Sequence, residues 1–92
     1  MEDAVRIDVW LWRARFFKSR ALAAKFVEDG RVRLTRAGAE TRLDKSSRSV
    51  RPGDALVFAL GGRVTSVVVE GLGDRRGPAS EARTLYSQVQ NN

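Results

Sequence analysis

The sequence predicts an α+β fold in which two N-terminal helices pack on a small, mostly antiparallel twisted sheet, with a short C-terminal helix. In the first third of the chain, apolar residues recur every three to four positions, as on a helix with one buried face. After Gly30 they alternate with polar residues, as in a half-buried strand, and turn residues separate the later apolar segments. Because the chain has 92 residues, we expect one domain.

Two helices are predicted over residues 7 to 30. In the first, Asp8 suits the positive end of the helix dipole. The second begins at Ser19, a good N-cap, and ends at Gly30, a residue typical of helix C-termini. The stripes expected to face the core are Ile7, Trp10, Leu11, Ala14 and Phe17 in the first helix, and Leu22, Ala23, Phe26 and Val27 in the second. A tight joint at residues 17 to 19 therefore connects the two helices.

Strands are predicted from residue 31 onward. The alternation in "RVRL" puts Arg31 and Arg33 on the solvent face of the first strand. Residues 35 to 49 are polar and are expected to form a loop or a loose hairpin. A Pro52-Gly53 turn is predicted to lead into a strand over residues 54 to 60. A hairpin at Gly61-Gly62 then connects this strand to a valine-rich strand that is expected to be covered on both faces. The last predicted element is a helix that starts at Pro78, with Ala82, Leu85, Tyr86 and Val89 at helical spacing.

The positive charge is concentrated in one third of the chain. Residues 6 to 36 contain nine basic and three acidic side chains, which alone equal the net charge of +6. Such clustering favours a polyanionic partner, because each Lys or Arg placed on a phosphate releases a condensed counterion. The alternative is a solvated basic surface that binds nothing.

Several classes of function are disfavoured by what the sequence lacks. Cysteine and histidine are absent, so disulfides, the usual zinc sites and the usual near-neutral base are missing. We expect no cofactor, no metal and no enzymatic activity. No apolar run approaches the ~20 residues that span a bilayer, and the acidic start "MEDAVRIDVW" differs from a signal peptide. A cytoplasmic monomer without membrane contact is expected.

One combination of motifs carries a family resemblance. The segment "RIDVWLWRARFFKSRALAAKFVEDGRVRL", followed by "KSSRSVRPGDAL", resembles the RNA-binding domain named after small-subunit ribosomal protein four, also called the alpha-L motif. The matching positions are Arg6-Ile7-Asp8, Leu11, Ser19-Arg20, Gly30-Arg31-Val32, Lys45-Ser46-Ser47, Val50 and Gly53-Asp54. The resemblance implies an alpha-L type domain over residues 5–60. Residues 61–92 would complete the same single domain with a strand and a C-terminal helical extension.

Two further runs narrow the resemblance. "DVWLWRARFFKSRALA" and "DRRGPASEARTLY" are similar to the heat-shock protein fifteen family of bacteria. This implies binding to ribosomal RNA of the large ribosomal subunit, recognition of subunits blocked by peptidyl-tRNA, and their recycling under stress. The alternative is another ribosome quality-control or assembly factor with the same domain type. The chain departs from the family pattern before Lys45, where it is longer, and at Ser46, where proline is typical.

The candidate RNA-binding residues lie on both helices and on the first strand. They are Arg6, Arg13, Lys18, Arg20, Arg31 and Arg33. Arginine suits bidentate phosphate contacts and stacking on bases. Because A-form RNA hides its bases in a deep, narrow groove, such a surface is expected to read backbone shape. Arg6 is the weaker candidate, since it could pair with Asp8 instead.

A DNA-binding helix-turn-helix is the less favoured alternative. Two short helices with a basic second element suit that motif. The second helix, however, offers only Lys25 and two acids, and no cluster of Asn, Gln or Arg for base edges. Trp12 and Phe16 leave a related choice open. They either stack on bases or pack against the C-terminal helix through Leu85 and Tyr86, and burial is the more usual role of large rings.

Overall fold

A computed structural model of the chain describes residues 3–89 and confirms the α+β class. The helices α1 (Ile7–Arg13) and α2 (Arg20–Glu28) follow a short strand, β1 (Val5–Arg6). The later elements are β2 (Val32–Arg36), β3 (Ala39–Leu43), β4 (Ser49–Val50), β5 (Ala55–Leu60), β6 (Arg63–Val69), α3 (Ala79–Ala82), a 3-10 helix (Arg83–Leu85) and β7 (Tyr86–Gln88).

The main sheet has five antiparallel strands in the order β3-β2-β5-β6-β7. Its register pairs Val32 with Phe58 and Leu34 with Leu56, so the apolar residues of neighbouring strands share one face. The α1 and α2 helices contribute their apolar stripes to the same core as this face. The opposite face is left to solvent, and it carries Arg33 and Val57.

A second, two-stranded sheet holds the start of α1. Strand β1 pairs with β4, with Val5 opposite Val50. The backbone N–H of Ile7 donates to the carbonyl of Arg48 at 2.8 Å, so the loop before β4 accepts from an amide that the first turn of α1 leaves free. The segment expected to be a loop or loose hairpin thus contains β3 and β4. Its tight turn uses Ala37 and Gly38, both with positive φ, the geometry of a two-residue hairpin.

Helix α1 ends earlier than its apolar spacing predicts. Arg15 adopts a φ of +67°, and the N–H groups of Arg15 and Phe16 donate to the carbonyls of Trp12 and Leu11. These two bonds form a Schellman motif, which closes a helix. Phe17 is therefore outside the helix and half-buried. The other four residues of the predicted stripe are buried, as expected: Ile7, Trp10, Leu11 and Ala14.

Three further expectations need correction. Leu22 is 53% exposed, because it lies on the outer side of α2 and not in the core. The valine-rich strand is covered on one face only: Val67 and Val69 are buried, whereas Val64 is 70% exposed. The predicted last helix is short, since the chain passes through a 3-10 turn and extends at Tyr86 to pair with Val69.

Candidate nucleic-acid interface

The joint between the helices is fixed by a side-chain cap. Ser19 is extended, with φ of −144° and ψ of 159°, and its Oγ accepts a hydrogen bond from the N–H of Leu22 at 3.1 Å. This is the N-cap geometry that the sequence predicts, and it satisfies one free amide of the first turn. Lys18 and Arg20, on either side of Ser19, are exposed. Both cations are thus held at the start of α2 and face solvent.

At the other end of α2, a turn at Gly30 connects the helix to β2 of the sheet. Gly30 has a φ of +75°, and its N–H donates to the carbonyl of Val27 at 2.9 Å, which completes the helix end. A residue with a side chain would be strained at this φ. The turn starts β2 in the register that buries Val32 and exposes Arg31 and Arg33, as predicted.

Arg31 is the cation at the boundary between α2 and the sheet. Its guanidinium carbon lies 4.5 Å from the centre of the Phe26 ring, a cation–π contact. The Phe26 ring in turn packs against the ring of Phe17, with 4.9 Å between the two ring centres. Beside them is a shallow groove of about 230 Å³, which Leu22 and Lys25 also line. Asp29 also lines this groove and pairs with Lys25 at 3.7 Å. The groove therefore combines apolar surface with one ion pair and the cation of Arg31.

A larger groove of about 340 Å³ lies on the solvent side of the sheet. Arg31, Arg33 and Arg42 line it together with apolar residues of β5 and β6. Arg33 forms an ion pair with Glu40 of β3, at 2.7 Å and on the surface, where such pairs contribute little to stability. The structure thus brings together two of the predicted site residues, Arg31 and Arg33, and adds Arg42.

The remaining two predicted residues are engaged within the fold. Arg6 donates from Nε and Nη2 to the two carboxylate oxygens of Asp8, at 3.1 and 3.0 Å. Asp8 is buried and also accepts from the N–H of Val9. Arg13 donates from Nη1 to the carbonyl of Gly73 at 2.8 Å. An RNA contact by either guanidinium would compete with these bonds.

Further arginines connect residues 71–77 to the end of α1 through hydrogen bonds. Arg15 Nε donates to the carbonyl of Gly77 at 2.7 Å, and Arg76 Nε donates back to the carbonyl of Trp12 at 3.1 Å. The Trp10 ring N–H reaches the carbonyl of Gly71 at 2.8 Å. The cations around the joint therefore separate into a structural group, Arg13, Arg15 and Arg76, and a solvent-facing pair, Lys18 and Arg20.

Arg36 forms the most buried ion pair of the described chain. Its guanidinium donates to both oxygens of Asp54, at 2.9 and 2.7 Å, and the N–H of Arg51 donates to the same carboxylate at 2.8 Å. Burial raises the pKa of Asp54, but these hydrogen bonds and the positive charges outweigh it, so the pKa lies below its ordinary value. The hydrogen bond from Arg36 likewise raises the pKa of its guanidinium. The pair joins the end of β2 to the start of β5.

Phe16 is half-buried and packs against the core. Its ring lies 4.8 Å from that of Tyr86 and 5.2 Å from that of Phe58. The packing against Tyr86 was expected, although Tyr86 belongs to a strand and not to a helix. Trp12 is half-buried.

Within residues 3–89, no group of three or more acidic, His or Cys side chains is placed to hold a metal ion. The same part of the chain contains no helix that is long and apolar enough to cross a membrane.

Comparisons with known proteins agree with this architecture. The S4 domain family matches residues 5–34, which run from β1 through α2 into β2. A solved structure described as trimeric heat shock protein 15 of Vibrio cholerae is 37% identical, with a TM-score of 0.80 over 94% of this chain and 82% of that one. This chain belongs to the heat shock protein 15 family. Its fold matches that of the Vibrio cholerae relative over most of both chains.

Two curated relatives that match this chain are longer than it. Heat shock protein 15 of Escherichia coli K12 is 38% identical over 85 residues, which are 92% of this chain and 60% of that protein. The homolog from Haemophilus influenzae is 35% identical over 89 residues, 97% of this chain and 64% of that protein. The chain thus spans about 60% of the length of these curated relatives.

Proposed function

We propose that this protein binds ribosomal RNA of the large ribosomal subunit through exposed cations of its S4 domain. One observation carries the proposal: Lys18, Arg20, Arg31 and Arg33 all face solvent within or beside the two helices. Only Arg33 among these four has an acidic partner in the described chain. Cations without intramolecular partners are free to exchange their counterions for phosphates.

The arrangement suits recognition of RNA shape. The Ser19 cap and the Gly30 turn hold the two ends of α2 about 13 Å apart, at 1.5 Å per helical residue. Cations at both ends can therefore contact phosphates separated by that span. Sequence readout in a major groove is disfavoured, because the basic side chains of α2 itself are only Arg20 and Lys25, and Lys25 already pairs with Asp29. This argues against a helix-turn-helix bound to DNA.

The finer function is proposed on the resemblance in sequence alone. We infer that the target is the large subunit blocked by peptidyl-tRNA and that binding helps to recycle such subunits under stress. Another role in ribosome quality control or assembly is the second candidate. A comparison of free, translating and peptidyl-tRNA-blocked large subunits in sedimentation distinguishes the two, since the first role requires preference for the blocked subunits.

The nucleic-acid class is tested by competition. Labelled large-subunit RNA bound to the protein is challenged with unlabelled structured RNA or with duplex DNA of the same length, at near-physiological salt. The proposal requires the RNA to compete at much lower concentration. Equal competition would contradict it.

The proposal also includes an oligomeric state, the monomer that the sequence predicts. The sequence predicts a cytoplasmic monomer, whereas the relative from Vibrio cholerae is described as a trimer. Analytical ultracentrifugation with and without RNA decides between these states.

A further inference from the structure

The solvent face of the sheet carries three arginines close together. Arg42 on β3 lies directly opposite Arg33 on β2, and Arg31 precedes Arg33 by two residues, on the same face. Like charges in directly opposite positions destabilise a sheet. Glu40 pairs with Arg33, but neither Arg31 nor Arg42 forms an ion pair with any residue between 3 and 89. Positive charge is therefore concentrated on this face of the sheet.

The floor between these arginines is apolar. Val57 and Val64 are 38% and 70% exposed, and they line the groove of about 340 Å³ with Ala59 and the three arginines. The groove lining contains no acidic residue. A ligand that fits must therefore bring negative charge at the rim and apolar or aromatic surface at the floor.

Arg31 connects this groove to the helices. It also lines the smaller groove beside α2, with Phe17, Leu22 and Lys25. Because Arg31 lines both grooves, one extended ligand can pass from α2, around Gly30, onto the sheet while staying in contact with this arginine.

We infer that the sheet groove binds an unpaired RNA strand continuous with the RNA held at the helices, with Arg33 and Arg42 on its phosphates and Val57 and Val64 against its sugars and bases. This rests on the proposed RNA binding. A duplex would leave the apolar floor unused, because its bases are stacked inside, whereas an unpaired strand exposes them. Arginine suits the rim, since its guanidinium both bridges phosphate oxygens and stacks on bases.

The test compares two labelled RNAs, a blunt duplex of about 16 base pairs and the same duplex with a single-stranded extension of about eight nucleotides. The wild-type protein should bind the extended RNA about three- to tenfold more tightly. Arg42→Gln should abolish this gain and reduce the magnitude of the log–log salt slope for the extended RNA by about 0.7. The affinity for the blunt duplex should not change. Arg83→Gln removes the same charge from an exposed position of the 3-10 helix and serves as the control.

The outcomes separate the two claims. Binding of neither RNA would contradict the proposed function itself. Equal binding of both RNAs by the wild type, or an equal loss for both RNAs in Arg42→Gln, would overturn only the sheet groove. If Arg42→Gln bound the extended RNA normally but no longer cosedimented with large subunits, the groove would belong to a protein partner and the inference would be wrong. Thermal melting of Arg42→Gln should show no loss of stability, since the substitution removes a like-charge neighbour.

Discussion

The guanidinium of Arg31 lies over the ring of Phe26, with 4.5 Å between its central carbon and the ring centre. Phe26 is buried, and its ring also contacts that of Phe17. The cation is therefore oriented by the core, although it is exposed itself. Because the contact with the ring favours one orientation of the guanidinium, Arg31 loses less side-chain freedom on binding a phosphate or a base.

This geometry predicts that Arg31→Lys weakens RNA binding although it keeps the charge. Lysine cannot reproduce the planar contact with Phe26 or a bidentate phosphate contact, so affinity should fall about three- to tenfold. Fluorescence anisotropy with a large-subunit RNA fragment measures the effect, and Lys18→Arg is the control, expected to bind at least as well as the wild type. Full affinity in Arg31→Lys would show that Arg31 acts as a point charge only.

Salt dependence tests the number of phosphate contacts. The four exposed cations proposed to contact RNA predict a log–log slope of affinity against salt of about −3 to −3.5. Replacing Arg20 with Gln should reduce its magnitude by slightly less than one unit. A flat response would show that the basic cluster is not a phosphate-binding surface.

Arg13 and Arg20 are predicted to respond in opposite ways to truncation. Arg13 is tied to the carbonyls of Leu72 and Gly73, so Arg13→Ala should lower the free energy of unfolding by about 1 to 2 kcal/mol and leave the RNA affinity of the folded protein nearly unchanged. Arg20 is exposed, so Arg20→Ala should lower affinity and not stability. Urea denaturation and RNA titration of both variants decide the roles. Normal stability with lost RNA binding in Arg13→Ala would assign Arg13 to the RNA surface.

The Arg36–Asp54 pair predicts a dependence of stability on pH. The pKa of Asp54 is lower in the folded chain than its ordinary value of 3.8, so its contribution is complete above that value and disappears as pH falls through the folded pKa. Asp54→Asn should therefore destabilise the protein at neutral pH by about 2 kcal/mol and flatten the acid limb of the stability curve. Urea midpoints from pH 2 to pH 7 measure both effects. An acid limb of unchanged slope would show that other carboxylates control it.

The helices and their caps could be predicted from sequence because their signals are local. Ser19 and Gly30 are residues that the two ends of α2 physically favour, and both act as expected. The end of α1 lacks such a signal. Arg15 occupies the left-handed position where glycine is typical, and its bond to Gly77 is a tertiary contact that periodicity does not reveal.

The same limit applies to the candidate site. The alternation of polar and apolar residues correctly predicted that Arg31 and Arg33 are exposed. The position of Arg42 opposite Arg33, however, depends on the β2–β3 register. That register is set by a turn at Ala37-Gly38, which lacks the Asn or Asp that usually identifies such a hairpin. The bonds of Arg13 to residues 72 and 73 are likewise long-range, so its spacing on α1 could not distinguish a structural role from an RNA contact.

The central claim is tested most directly by sedimentation of large ribosomal subunits with the double variant Arg20→Glu and Arg31→Glu. The proposed surface predicts that the wild type cosediments and that the double variant, folded by circular dichroism, remains in the supernatant. The matched control reverses two exposed arginines outside the surface, Arg63→Glu and Arg83→Glu, and should cosediment more like the wild type. Undiminished cosedimentation of the Arg20→Glu and Arg31→Glu variant would contradict the account.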